Sequence, residues 1–233
     1  MSGRVCVVAG VGPGTGTAIC ERFAAAGDRV AMLARTAERL EALAERIPGA
    51  RGYPVDIGDR GAVADAFDAI RADLGPVEVY VHNAAAGAFN HFMEVKPETL
   101  ELTFRVNVMS LLHCGQQAAA DMLKQGAGHI VVTGNTSAWR GKANFAAFAP
   151  TKAAQRILAQ SMARSLGPQG VHVAYVVIDA VIDVPWTRKA FADRPDEYFA
   201  QPSAIADTVH FLTRQERSAW SFEVDLRPYG ESW

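Results

Sequence analysis

The sequence has little of what stapled, metal-bound or membrane-bound chains depend on. Its cysteines are Cys6, Cys20 and Cys114, odd in number and widely spaced, with no Cys-x-x-Cys pair. Neither a disulfide framework nor a metal site is expected from such a set. No apolar run reaches the roughly 18 residues of a membrane-crossing helix. Charge of one sign is scarce as well: 23 Lys and Arg face 25 Asp and Glu, a net of −2. That balance offers no basic stripe for a nucleic acid. No basic start leads into an apolar leader segment, so a cytoplasmic protein is expected. No internal repeat, low-complexity tract or linker breaks the 233 residues, which read as one domain, 1–233.

What is present is a sizeable apolar fraction, 49%, arranged in short β-branched runs between helical patterns. Runs at 4–9, 29–34, 52–55, 77–81, 129–133, 171–178 and 222–226 read as strands. Helical patterns fall at 14–26, 36–47, 59–74, 98–124, 144–166 and 202–212. The runs are apolar almost throughout, as strands buried on both faces are. Strictly alternating strands and helices predict an α/β fold: one doubly wound Rossmann domain with a parallel sheet of about seven strands. The stretch 179–201 is the least regular and carries Pro185, Trp186, Pro195 and Tyr198. A loop of that length in a compact domain is expected to be functional, here a substrate lid.

The most informative segment is Gly10-Val-Gly12-Pro13-Gly14-Thr15-Gly16, placed between the first strand and the first helix. Glycines there allow a tight turn and let the backbone approach a pyrophosphate, while the helix N-terminus presents free N–H groups to the anion. A plain strand-to-helix turn needs one or two glycines, not four. A dinucleotide site is therefore expected. At the end of the second strand an acid would bind ribose hydroxyls, whereas an Arg accommodates a 2′-phosphate. The chain has Ala34-Arg35 there, so NADP(H) is preferred and NAD(H) remains possible, unless Arg35 is merely solvated. Asp56, followed by Ile57, either accepts from the adenine amino group or caps the next helix.

Several motifs in order resemble the short-chain dehydrogenase/reductase family over almost the whole chain. The family's Thr-Gly-x-x-x-Gly-x-Gly turn corresponds to Ala9-Gly10-x-x-x-Gly14-x-Gly16. Its Asn-Asn-Ala-Gly segment corresponds to His82-Asn83-Ala84-Ala85, and its helix asparagine to Asn107. Its Tyr-x-x-x-Lys motif corresponds to Phe148-Ala-Pro-Thr-Lys152. The resemblance implies hydride transfer between a nicotinamide ring and a carbonyl or alcohol. It assigns the tyrosine phenol to proton transfer, the lysine to the ribose and to the phenol, the serine to the substrate oxygen, and the asparagine to a water linking the lysine to solvent. It also implies that the two long helices pair with a second copy, hence a homodimer or homotetramer.

Two of those four catalytic positions differ here. The tyrosine is Phe148, an atypical member's substitution, and the serine thirteen residues earlier is Asn135. Thr133, Thr136 and Ser137 lie close by, and Asn135 can itself donate to a developing oxyanion. Loss of a positioned general acid removes roughly 10²–10⁴-fold of rate, so a replacement donor is sought. Asp179, where the family has proline, is either that acid or a cap for the lid. His91, His113, Tyr198 and a desolvated Lys152 are other candidates. Lys152 and Asn107 persist, the first as ribose ligand rather than a plain surface lysine, the second in a role that is also compatible with pinning helix to strand. The family threonine is Val184, leaving the backbone near Ile182 to meet the carboxamide.

The expected function is therefore an NADP(H)-dependent oxidoreductase acting on a carbonyl or alcohol through a non-standard proton relay. The alternatives are a non-redox dehydratase- or cyclase-like enzyme, or a catalytically silent NADP-binding protein, on the same scaffold. Trp139, Phe145, Trp186, Phe191, Tyr198 and Phe199 predict a partly apolar small-molecule substrate, unless they only pack the core. The aromatic ending 226–233 is a candidate subunit contact.

Overall fold

A computed structural model describes residues 3–230 of the chain. Trp233, part of the aromatic ending, lies outside the described residues. The strands are β1 (Val5–Ala9), β2 (Arg29–Ala34), β3 (Ala50–Pro54), β4 (Val79–His82), β5 (Gly128–Gly134), β6 (Val171–Ile178), β7 (Val181–Ile182), β8 (Phe199–Ala200) and β9 (Glu223–Leu226). The helices are α1 (Thr15–Ala25), α2 (Ala37–Arg46), α3 (Arg60–Leu74), α4 (Pro97–Phe104), α5 (Ser110–Gln125), α6 (Ala149–Leu166), α7 (Pro185–Ala190) and α8 (Pro202–Leu212).

The main sheet has seven strands in the order β3-β2-β1-β4-β5-β6-β9. Its pairings are parallel, from Val5↔Arg29 in β1–β2 to Ile178↔Leu226 in β6–β9. Alternate residues of β1 point to opposite faces. Val5, Val7 and Ala9 join a core with Phe67, Tyr80 and Leu111, whereas Cys6 and Val8 join a second core with Ile19, Phe23 and Ile205. The double burial explains the unbroken apolar runs of the strands. The three cysteines are free and buried. Among the described residues no helix is long and apolar enough to cross a membrane, and no His, Cys, Asp and Glu cluster could hold a metal ion.

The chain runs outward from β1 through β2 to β3 and then returns to the other side of β1 with β4. The reversal places a crevice beyond the carboxyl ends of β1 and β4, where open α/β sheets take their ligands. The glycine turn and the segment beginning His82-Asn83 both open there.

Three elements differ from their sequence-based expectations. The predicted helix over 98–124 is two helices joined by a wide i→i+5 turn at Arg105–Met109, which holds Asn107. Such turns interrupt the backbone ladder and occur often at functional sites. The predicted helix over 144–166 starts only at Ala149, with Pro150 in its first turn, the place where a proline fits because its missing N–H is not needed. The stretch 179–201 is not irregular: it holds β7, α7 and β8, with Val181↔Phe199 and Ile182↔Ala200 paired in parallel. Arg188 organises it, bridging Asp183 at 2.7 Å and Asp196 at 2.5 Å and stacking 4.0 Å above the Phe199 ring. Strands of two residues carry no readable period, which is why the sequence pattern showed none.

Candidate functional site

The four glycines of the turn divide into two kinds. Gly10 adopts φ +89, and a Cβ there would lie 2.5 Å from the backbone of Ala84. A Cβ on Gly16 would lie 2.4 Å from the Gly10 carbonyl oxygen, and one on Gly14, at φ +100, 2.4 Å from Val184 Cγ1. Packing alone demands these three. Gly12 is different: a Cβ there meets nothing within 4 Å. The fold leaves its side open, as a cradle for a ligand would be. Beside it the α1 N-terminus has no side-chain cap, and Thr15 Oγ1 is buried without a hydrogen-bond partner. Uncapped N–H groups and an orphaned hydroxyl fit an anion such as a pyrophosphate. Pro13 is exposed and lines a cavity of about 540 Å³ with Thr17, Arg39, Arg46 and Pro202, between α1, α2 and the start of α8.

The turn is tied to the end of β2, because the Gly10 and Val11 N–H groups both donate to Leu33 O, at 3.0 and 3.2 Å. Arg35 is exposed at the end of β2. Asp56 Oδ1 accepts from the Gly58 N–H at 2.9 Å, and the cap of α3 is Asp59, which accepts from Gly61 and Ala62. The helix-capping reading of Asp56 thus passes to its neighbour three residues on. The Ile57 side chain is buried in the core, so only its backbone faces outward contacts.

A single hydrogen-bonded chain links the glycine turn to the opposite end of the site. Asn83 Nδ2 donates to Gly10 O at 3.0 Å, and Asn83 Oδ1 accepts from Thr133 Oγ1 at 3.0 Å. The Thr133 carbonyl accepts from Lys152 Nζ at 3.3 Å. Lys152 Nζ also donates to Gln155 Oε1, and Gln155 Nε2 donates to Asn107 O at 2.7 Å. Asn107 Nδ2 donates to Thr151 Oγ1 at 2.8 Å, and its Oδ1 accepts from Ala86 N at 2.7 Å. The chain therefore brings together Gly10, Asn83, Ala86, Asn107, Thr133 and Lys152 from five distant stretches of sequence.

Lys152 is not a surface lysine. It is 2% exposed, and burial lowers its pKa to about 7. His82, wholly buried, shares a hydrogen bond of 2.7 Å between its Nδ1 and the Tyr80 hydroxyl. Burial, and after it the charge of Lys152, lowers the His82 pKa to about 3.

Phe148 stands at the N-cap of α6, 6% exposed. Its ring lies 5.7 Å from that of Phe89 and 6.2 Å from that of Phe145, and these two lie 5.2 Å apart. The position expected to hold a phenol is thus one corner of an aromatic triangle. Asn135 Oδ1 accepts from the Ser137 N–H at 3.0 Å and caps the short turn Thr136–Ala138. Ser137 lines a cavity of about 290 Å³ together with Trp139, Arg140, Lys142 and Phe145.

Asp179 neither stands free as an acid nor caps the lid. Its Oδ1 accepts from Thr136 Oγ1 at 3.0 Å and its Oδ2 from Arg227 Nη1 at 2.7 Å. It pins the end of β6 to the stretch after β9. The Ile182 carbonyl accepts from Thr187 Oγ1 at 2.5 Å. His91 is exposed, His113 Nδ1 is buried on α5 without a partner, and Tyr198 packs at 5.9 Å from Phe191 and 5.3 Å from Phe199 within the stretch 179–201.

Gln155 is the site residue that the motif reading passed over. The signal was there: it lies three positions after Lys152, hence on the same helix face. With Ala159 it continues a buried stripe, and a polar side chain on such a stripe requires a partner.

The short chain dehydrogenase family matches this chain over residues 4–195. L-xylulose reductase of Bos taurus is 32% identical over 228 residues, which cover 94% of this chain and 92% of that protein. A short-chain dehydrogenase of known structure from Rhodopseudomonas palustris has a TM-score of 0.83 at 32% identity, covering 97% of this chain and 99% of that one. A metagenomic short-chain oxidoreductase solved in complex with NADP has a TM-score of 0.85 at 27% identity, covering 98% of both chains.

Proposed function

This chain belongs to the short chain dehydrogenase family, and we propose that it is an NADP(H)-dependent oxidoreductase for a carbonyl or alcohol substrate whose proton relay departs from the family pattern. The observation that carries the reading is the hydrogen-bonded chain from Gly10 through Asn83, Thr133 and Lys152 to Asn107. It ties an open glycine cradle to a buried lysine at the crevice where the strand order reverses.

Bound NADPH would supply a hydride to the substrate's carbonyl carbon. The residues present fit that group: Gly12 leaves room for phosphate, α1 offers free N–H groups, and Thr15 offers an unpartnered hydroxyl. Arg35 would face a 2′-phosphate, and the backbone of Asp56 and Ile57 the adenine. Lys152 and Ile182 would serve the nicotinamide end. Asn135 and Ser137 would hold the substrate oxygen beside the aromatic triangle. Phe148 has no proton to give, so the proton at that oxygen comes from elsewhere. A related protein is an L-xylulose reductase, and another was solved with NADP, which supports a carbonyl substrate and this cofactor.

A second reading, a silent NADP-binding protein, is favoured by the same Phe148 and by the occupied Lys152. Titration of NADPH and NADH by fluorescence tests the cofactor, and absorbance at 340 nm with L-xylulose and a panel of other carbonyl compounds tests turnover. Binding with turnover supports the enzyme; binding without turnover supports the silent protein; binding of neither cofactor defeats both. A homodimer or homotetramer is proposed on the outer face of α5 and α6, where Leu111, Leu112, Gly115, Met162 and Leu166 line a surface hollow of about 280 Å³. Light scattering at micromolar concentration giving a monomer mass would overturn it.

A further inference from the structure

We propose that Gln155 is a positioning residue whose amide clamps the Lys152 ammonium inside the protein and isolates it from proton exchange with the crevice. The proposal deepens the oxidoreductase reading above and rests on it only for its effect on turnover.

The geometry permits one orientation of the Gln155 amide. The Asn107 carbonyl can only accept and the Lys152 ammonium can only donate. The NH₂ of Gln155 must therefore face Asn107 O, at 2.7 Å, and its Oε1 must face Lys152 Nζ. Both ends of the amide are thereby fixed. Gln155 and Asn107 are 0% exposed and Lys152 is 2% exposed, so no link of this chain exchanges its partner for water. The wide turn at Arg105–Met109 sets the Asn107 carbonyl where the glutamine can reach it. Losing any partner would leave a buried polar group unsatisfied.

The clamp has a chemical consequence. An amide neither gives up nor takes on a proton near neutrality, so a path from Lys152 through Gln155 to Asn107 carries none. The other acceptor of Lys152 is the Thr133 carbonyl at 3.3 Å, which carries none either. Facing the ammonium from β4 is His82, whose bonded nitrogen is engaged with the buried Tyr80 hydroxyl. Lys152 is thus held in one place rather than wired as a relay. The position that would use such a relay is Phe148, which has no use for one. A lysine clamped by an amide and a neighbouring side chain with no proton to pass are consistent with each other.

Trace acetylation of the native full-length protein without cofactor, read by peptide mass spectrometry, tests the clamp directly. Exposed Lys124 and Lys142 serve as internal references. In the wild type, Lys152 should label at least about tenfold less than either, as a buried amine does. In Gln155→Ala and Gln155→Met it should rise to within about threefold of them, because neither side chain can accept the ammonium's hydrogen bond. Methionine fills the volume of glutamine without its acceptor. Protection retained in Gln155→Met would reduce Gln155 to a space-filler and overturn the proposal, as would ready labelling of Lys152 in the wild type. Should the alanine variant fail to fold by circular dichroism, the methionine variant decides alone. This readout uses no cofactor, so its failure is distinct from failure of the oxidoreductase reading, which NADPH binding to the wild type measures.

Discussion

The two ends of the crevice are built from different parts of the chain. At the glycine turn, backbone does the work: three glycines satisfy packing, and a fourth leaves an opening. At the Phe148 end, side chains do the work: Phe148 packs in an aromatic triangle and Asn135 caps the turn Thr136–Ala138. One chain of hydrogen bonds joins the ends through Asn83 and Thr133. A backbone site tolerates few changes because the fold depends on it. A side-chain site can be rewritten residue by residue while the fold stands. The holding of a cofactor and its use are therefore separable here.

The largest expected effect belongs to the strand between the two ends. His82 is buried neutral, with its pKa lowered to about 3 from 6.5. The unfolded chain takes up a proton at this site first, so the contribution of His82 is full above pH 6.5 and falls as pH drops from 6.5 towards 3. The loss from this residue is on the order of 4 kcal/mol. His129, lowered to about 4 mainly by burial, adds to the same acid limb. Urea unfolding of the wild type and of His82→Asn across this range should show the wild type losing stability more steeply. Parallel curves would remove His82 from the account, and with it the view that both ends rest on one acid-sensitive strand.

Substitutions in the turn sharpen the contrast between its glycines. Gly16→Val places its Cβ against the Gly10 carbonyl and should destabilise the fold by about 3 kcal/mol. Gly12→Val meets open space, so its unfolding midpoint should stay near that of the wild type while NADPH affinity falls about a hundredfold, or about 2.7 kcal/mol. Unfolding curves beside fluorescence titrations separate the two. A Gly12 variant that binds NADPH normally would mean that the opening is not the phosphate cradle.

Arg35→Glu addresses the adenosine end. An exposed guanidinium facing a 2′-phosphate should favour NADPH by a charge-assisted contact worth about 1.5–3 kcal/mol. Reversing the charge should move the NADPH to NADH affinity ratio at least about tenfold towards NADH. An unchanged ratio would make Arg35 a solvated side chain and return cofactor choice to other residues.

The legibility of the molecule follows the same division. The alternation of buried strands gave the sheet and its reversal point, because double burial leaves an unbroken apolar run. The glycine turn was readable because its four positions lie in sequence. The stretch 179–201 reads as irregular in the sequence because two-residue strands and an Arg188 network leave no period. The bond between Asp179 and Arg227 was not legible because its partners lie 48 positions apart. Gln155 went unnoticed because its meaning lies in Asn107, 48 positions away. Contacts between side chains on separate elements are set by the fold, and no local pattern announces them.

The smallest expected effect is the most diagnostic of the rewritten end. Phe148→Tyr adds one hydroxyl to the aromatic triangle with Phe89 and Phe145 and restores the family's phenol. Were the phenol the only deficit, turnover of NADPH with L-xylulose or another carbonyl compound should rise by the roughly 10²–10⁴-fold of a positioned acid. With Gln155 still holding Lys152, no proton reaches the new phenol through the lysine, and the gain should stay below about tenfold. Adding Gln155→Ala to Phe148→Tyr should then raise turnover at least about tenfold further, a coupling that neither single change shows. Equal activity in the single and double variants would make the phenol sufficient. The amide would then be a structural filler, and the rewritten end would lack only the hydroxyl at position 148 rather than a relay.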